Sequence, residues 1–160
     1  MSATIKFIAT LILSAAVLLA AGLSGLTFYM WPTHFGDHAL VVNPQILAEL
    51  STLQAERKFV EDKKHFYFGA PNEEARATAQ NAVDALIAKL LRELPSNPKR
   101  SIVLAHFKLA LSSFDTPESE ERDQLLVYLQ RISLIVGILD SGELFNVWRY
   151  GFPYGWLPGN

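Results

Sequence analysis

The sequence predicts an all-α protein: a single transmembrane helix at the amino terminus, followed by a compact bundle of about five helices with one short extended or hairpin element. Three observations carry that prediction. Residues 7–30 run without one charged side chain. Beyond them, apolar residues recur at three- and four-residue intervals in five separate stretches, the period of an α-helix with one buried face. Cap-then-proline pairs (Asn43-Pro44, Asn97-Pro98, Thr116-Pro117) and glycines fall at the borders of those stretches, where helices start and stop. Short turns between helical stripes favour a bundle over a layered α/β sheet.

The first helix also places the protein. Eleven of residues 7–30 are Leu, Ile, Val or Phe. At about 1.5 Å per residue the run makes a helix on the order of 36 Å long, enough to cross a hydrocarbon core of roughly 30 Å with some tilt. Phe28, Tyr29 and Trp31 stand where a bilayer interface favours amphipathic rings, and Pro32 closes the run. A cleaved leader is the alternative, since it too begins with a positive residue, here Lys6. Its apolar core would span about 7 to 15 residues. This one continues past Ala20, Ala21 and Gly22 through Leu23, Leu26 and Phe28, so we expect a retained anchor over residues 1–31 that meets membrane lipid through residues 7–30. Lys6 and the amino terminus lie on one side of the run, and His34, Asp37 and His38 without a nearby Lys or Arg lie on the other. The positive-inside rule then puts the amino terminus in the cytoplasm of a bacterium and residues 33–160 outside the inner membrane, in the periplasm.

Residues 32–43 read as a linker, and the helical domain as residues 44–151. Its first helix starts at the Asn43 cap and runs through Ile46, Leu47, Leu50 and Leu53 to about Arg57. The aromatic stretch FVEDKKHFYFG, residues 59–69, breaks the period and reads as extended, turning at Gly69. Asn72, with Glu73 and Glu74 in the following turn, opens a second helix with the stripe Ala79, Val83, Leu86, Ile87, Leu90 and Leu94, stopped by Pro95. The Ser96-Asn97-Pro98 signal opens a third, with Val103, Phe107, Ala110, Leu111 and Phe114 inward. Thr116 and Pro117 cap a fourth, which buries Leu125, Leu126, Leu129, Ile132 and Val136 and ends at Gly137. Ser141 caps the last, which carries Leu144, Phe145, Val147 and Trp148 to Gly151. Residues 152–160, FPYGWLPGN, form an aromatic Pro/Gly tail.

Composition narrows the function. Fourteen Lys and Arg against sixteen Asp and Glu give a net charge of −2, which lacks the basic footprint of a nucleic-acid binder. Without cysteine the exported part has no disulfide or thiol chemistry, so its stability comes from its core.

The carboxyl half resembles an uncharacterised bacterial family of small helical proteins, a domain of unknown function. The residues that carry the resemblance are FDTPESEERDQLLVYL at 114–129 and GILDSGELFNVWRYG at 137–151, with FYFG at 66–69 upstream. Its most specific part is the spacing of Asp140, Ser141, Asn146, Trp148, Tyr150 and Gly151. The resemblance spans about residues 47–151 and implies an all-α fold and no particular activity.

No constellation in the chain specifies chemistry. His34, Asp37 and His38 have a metal-like spacing, but Pro32 and Gly36 argue against the helix that would make two histidines converge. Asp115, Glu118, Glu120, Glu121 and Asp123 read as acidic residues at a helix start, with Arg122 among them. Asp140 and Ser141 read as a turn and cap, and His65 and His106 stand alone. There is no GxSxG, P-loop or dinucleotide pattern. We therefore expect no catalytic residues, cofactor, metal or small-molecule substrate. Trp148, Arg149, Tyr150, Phe152, Tyr154 and Trp156 are residue types that dominate protein interfaces, and they are the candidate partner-binding set. The expected function is a non-enzymatic, membrane-anchored accessory or binding subunit that docks on a partner protein complex. The alternative is a periplasmic immunity-type protein that neutralises a toxin through the acidic start of the fourth soluble helix.

Overall fold

The computed structural model describes residues 3–116 and 118–151. Among them are six α-helices: α1 (Ala3–Met30), α2 (Pro44–Ala55), α3 (Glu73–Glu93), α4 (Arg100–Ser113), α5 (Ser119–Ile135) and α6 (Leu144–Tyr150). The described residues contain no strand. α1 is long and apolar enough to cross a membrane, and none of the stretch Ile5–Thr27 is buried.

The rest packs around α3. Its stripe Ala79, Val83, Leu86, Ile87 and Leu90 is buried, and α2, α4 and α5 lie against it. Leu50 and Leu53 enter the core from α2, Val103, Leu104, Phe107 and Leu111 from α4, and Leu125, Leu129 and Ile132 from α5. All but Leu104 belong to the stripes expected from the sequence, so the hydrophobic period sets which face turns inward, while Ala110 and Phe114 of the α4 stripe are only partly buried. α6 closes the bundle against α5, with the Phe145 ring 5.7 Å from that of Phe107.

Local caps fix two helix starts where the sequence places them. Asn43 Oδ1 accepts the Ile46 N–H at 2.9 Å and Asn72 Oδ1 accepts the Ala75 N–H at 2.9 Å. At the end of α5, Ile138 N–H bonds Ser133 O and Gly137 N–H bonds Leu134 O, a two-bond terminal turn that uses the positive φ of Gly137.

Four local expectations need correction. The segment 59–69 is not a strand turning at Gly69: the chain reverses earlier, through a 3-10 turn at Lys63–His65 closed by the Asp62–Tyr67 bridge, with Phe66 left-handed at φ 53°. Gly69 serves a close approach instead, since a Cβ there would sit 3.3 Å from the Glu61 nitrogen. Ser96 and Asn97 are not the cap of α4 but bond back to Glu93 O as a turn, and the helix begins at Arg100. α5 begins at Ser119 after Glu118, with the Thr116 hydroxyl accepting the Glu118 N–H at 3.4 Å; Pro117 lies outside the described residues. Ser141 lends α6 only its carbonyl, to the Leu144 N–H, while Glu143 takes the cap position at φ 64°.

Candidate functional site

The fold has two ends that differ in chemistry. α1 leaves from the end formed by the amino terminus of α4, the carboxyl terminus of α5 and the α5–α6 link. The opposite, distal end is formed by the carboxyl terminus of α4, the start of α5 and the aromatic turn.

At the α1 end, the stretch expected as a linker is built into the domain. Leu40 N–H bonds Pro98 O at 2.7 Å, Arg100 N–H bonds His38 O at 3.0 Å, and Leu40 is buried. Asp37 caps α4 from another part of the chain: its carboxylate accepts the backbone N–H of Ser101 and the Ser101 hydroxyl, both at 2.8 Å. Burial opposes ionisation of Asp37, but the two bonds from Ser101, together with the Lys99 charge and the His38 N–H, outweigh it and hold its carboxyl below the usual carboxylate range. The buried Arg100 donates to the carbonyls of Pro32, Phe35 and Asp140 at 3.1, 3.0 and 2.9 Å. Lys108 donates to Trp31 O at 2.7 Å. Trp31, expected at a lipid interface, is half-buried and packs on the domain core. The side chains of Phe28 and Tyr29 lie outside the described residues. A groove of about 440 Å³ runs between Trp31, Phe35, Ile138, Leu139 and Asp140.

At the distal end, residue 67 points inward and its neighbours point out. Tyr67 is buried and donates its hydroxyl to the buried carboxylate of Glu121 at 3.1 Å. Burial and then the Glu121 charge push its phenol well above the usual tyrosine range. Phe66 and Phe68 are 88% and 83% exposed. Phe59, fully buried at φ 57°, gives its N–H to the Tyr128 hydroxyl at 3.1 Å and packs its ring against Phe114 and Tyr128. Lys58, also fully buried, donates to Gln54 O, Glu56 O and Asp84 Oδ1 at 2.9, 3.0 and 2.6 Å, which closes the carboxyl end of α2. Gln80 joins the same network through Asp84 and Arg76. A groove of about 580 Å³ opens between the start of α3 and the α4–α5 link, floored by Ala75, Ala79 and Ala82 and rimmed by Glu74, Asp115 and Glu118.

The expected partner-binding residues divide. Trp148 turns inward: its indole N–H bonds Leu111 O at 2.9 Å, and Arg122 lies over its ring. Arg149 is paired with Asp123, which carries α6 against the start of α5. Tyr150 is exposed beside it. Phe152, Tyr154 and Trp156 lie outside the described residues.

The chemical alternatives are scattered. Asp37 is engaged with Ser101, and His38 Nδ1 faces Gly36 O, so the 34–38 stretch does not converge. His106 faces Glu93 at 2.9 Å and holds that carboxyl low, Tyr128 is bonded to Phe59, and Asp140 Oδ1 accepts the Gly142 N–H. Among the described residues no group of three or more His, Cys, Asp or Glu is placed to hold a metal ion.

Sequence reasoning missed the Lys58 network, although Arg76, Gln80 and Asp84 recur every four residues on α3. It also missed the role of Glu121, which shares the inward face of α5 with Leu125 and Tyr128. A family model described as domain of unknown function (DUF4844) matches residues 42–153. No curated protein and no solved structure matches the chain.

Proposed function

Because the chain belongs to the DUF4844 family, a domain of unknown function, we propose from its own geometry that it is a non-enzymatic, membrane-anchored accessory subunit. Its helical domain stands outside the cytoplasm, in the periplasm of a bacterium, and docks on a partner protein complex. The observation that carries this reading is α1: an apolar stretch of 23 residues, Ile5–Thr27, none of it buried, joined to a domain whose own apolar stripes are buried. Such a surface is stable in lipid and costly in water.

The docking face is the distal end. Phe66, Phe68 and Tyr150 are exposed there, the acidic-rimmed groove opens at the same end between the start of α3 and the α4–α5 link, and Gly151, the residue before the aromatic stretch 152–160 in the sequence, belongs to that end. Large exposed rings beside acidic groups favour a partner segment that is apolar and basic. The toxin-neutralising alternative has less support, because Glu121 and Asp123 of the acidic helix start are spent on Tyr67 and Arg149.

The test is copurification from detergent-solubilised membranes, comparing the full chain with a chain ending at Gly151. Loss of one specific protein from the shorter chain, with its helical circular dichroism spectrum intact, is the expected result. An identical set of copurifying proteins from both chains would overturn the tail's part in docking, and recovery of the full chain in the aqueous fraction would overturn the anchor.

A further inference from the structure

Outside α1, nine large apolar residues among those described remain exposed. Four of them, Phe35, Val41, Leu134 and Leu139, sit at the end where α1 leaves, and Leu139 is 89% exposed. Leu139 shares one groove with Trp31 and Phe35, and shares the adjoining groove with Leu134.

Nothing between α1 and this surface acts as a tether. The apolar span ends at Thr27, and Phe35 follows eight residues later. Over that interval Lys108 holds Trp31 O, and Arg100 holds Pro32 O and Phe35 O while also holding Asp140 O across the groove. Gly142 lies so close to Pro32 that a Cβ there would come within 2.9 Å of the proline Cβ, which welds the 137–142 link to the end of α1. The end of the span and Leu139 therefore move as one piece.

Resting on the anchored reading above, we infer that this end of the domain seats on the lipid surface, with Phe35, Leu134 and Leu139 dipping into the boundary between headgroups and acyl chains. The occupant of the apolar rim is lipid because the rim is rigidly continuous with the span. The acidic groups here, Asp37, Asp140 and Glu143, already accept bonds from Ser101, Gly142 and Asn146, and the Arg100 guanidinium is spent on three carbonyls, so the rim itself meets lipid through its apolar side chains.

The chain has no cysteine, so single nitroxide labels report depth directly. Three variants, L139C, F66C and L13C, are reconstituted as full chains in phosphatidylcholine vesicles, and collisions with oxygen and with a water-soluble nickel chelate are measured. All three positions are exposed, so labelling leaves the core untouched. The L139C label is expected about 5–10 Å below the phosphate level, the F66C label in water and the L13C label deep in the bilayer. An L139C label as accessible to nickel as that of F66C, with L13C still in lipid, overturns the inference and leaves the anchor standing. Nickel access at L13C overturns both. Exclusion of both reagents from L139C marks contact with a second copy, and overturns the lipid assignment.

Discussion

Each end of the domain buries one cation, and the two cations are used differently. At the α1 end, Arg100 gives its guanidinium to three carbonyls that lie 68, 65 and 40 residues away. At the distal end, Lys58 gives its ammonium to carbonyls four and two residues back, and to Asp84 on α3. A planar fork with fixed donor directions can hold three loops in a set arrangement, whereas a compact point charge suits the carbonyls of one helix end. The α1 end is thus held by a few long-range bonds. At the distal end the cation serves its own helix end and α3, and the long-range bonds come from tyrosine hydroxyls, that of Tyr128 accepting the Phe59 N–H and that of Tyr67 donating to Glu121, backed by the packed rings of Phe59, Phe114 and Tyr128.

The largest effect is expected at the distal cation. Lys58→Met leaves the Asp84 carboxylate and two helix-end carbonyls without their donor, and removal of one partner from a buried pair costs about 3–5 kcal/mol. Urea unfolding followed by circular dichroism measures it. A loss below about 1 kcal/mol is what an exposed ion pair would give, and it would erase the contrast between the two ends.

Arg100→Met follows, at about 2–3 kcal/mol, because the carbonyls it leaves can recover water where Phe35 and Asp140 are exposed. Its signature is local. Amide exchange should rise across residues 31–40 and 137–142 well before it rises in α3. Arg100→Lys should restore little, since an ammonium cannot span three loops in the geometry of the fork.

The two ends should also fail at opposite extremes of pH. The Tyr67 phenol titrates higher in the folded protein than its ordinary value of about 10, so its contribution is complete below pH 10 and is lost as pH rises toward the folded value. Tyr67→Phe costs about 1–2 kcal/mol at neutral pH and flattens the alkaline decline in stability. Asp37 is shifted the other way. Its contribution is present above the ordinary carboxylate value and fades as pH falls through the lowered one, which loosens residues 31–40 in acid. Stability and amide exchange followed against pH separate the two, and Ser101→Ala, which keeps the backbone N–H bond to Asp37, should weaken the acid-sensitive part without changing the alkaline one.

What the sequence made legible is what the chain settles within a few residues. The caps Asn43 and Asn72, the stripe of α3 and the Gly137 terminus each depend on neighbours three to six positions away, and each formed where its signal stood. The features that were not legible are long-range substitutes for local signals. Asn97-Pro98 looked like the cap of α4, but Asp37 supplies it from 64 residues away. The turn-like composition of residues 32–43 hid the fact that Arg100 gathers them, because a lone arginine at a helix start reads as solvated. Trp148 and Arg149 have the residue types of an interface, yet Leu111 and Asp123 claim them inside the domain. Residue type cannot distinguish a ring turned toward a partner from one turned toward its own backbone.

The smallest effect on stability is expected where the effect on function is largest. Phe66 and Phe68 flank Tyr67 in an alternating pattern that buries the middle residue and presents the outer two. Tyr67 holds the turn through Glu121 and Asp62 holds it through its backbone bridge, so neither outer ring is needed to keep its shape. The double substitution Phe66→Ser and Phe68→Ser should then change unfolding free energy by less than about 0.5 kcal/mol, as for exposed positions in general. It should nonetheless abolish copurification of the partner that depends on residues 152–160. A loss of stability comparable to that of Tyr67→Phe would mean that the rings pack on something within the chain. Unchanged copurification with unchanged stability would move the docking face away from the distal end altogether.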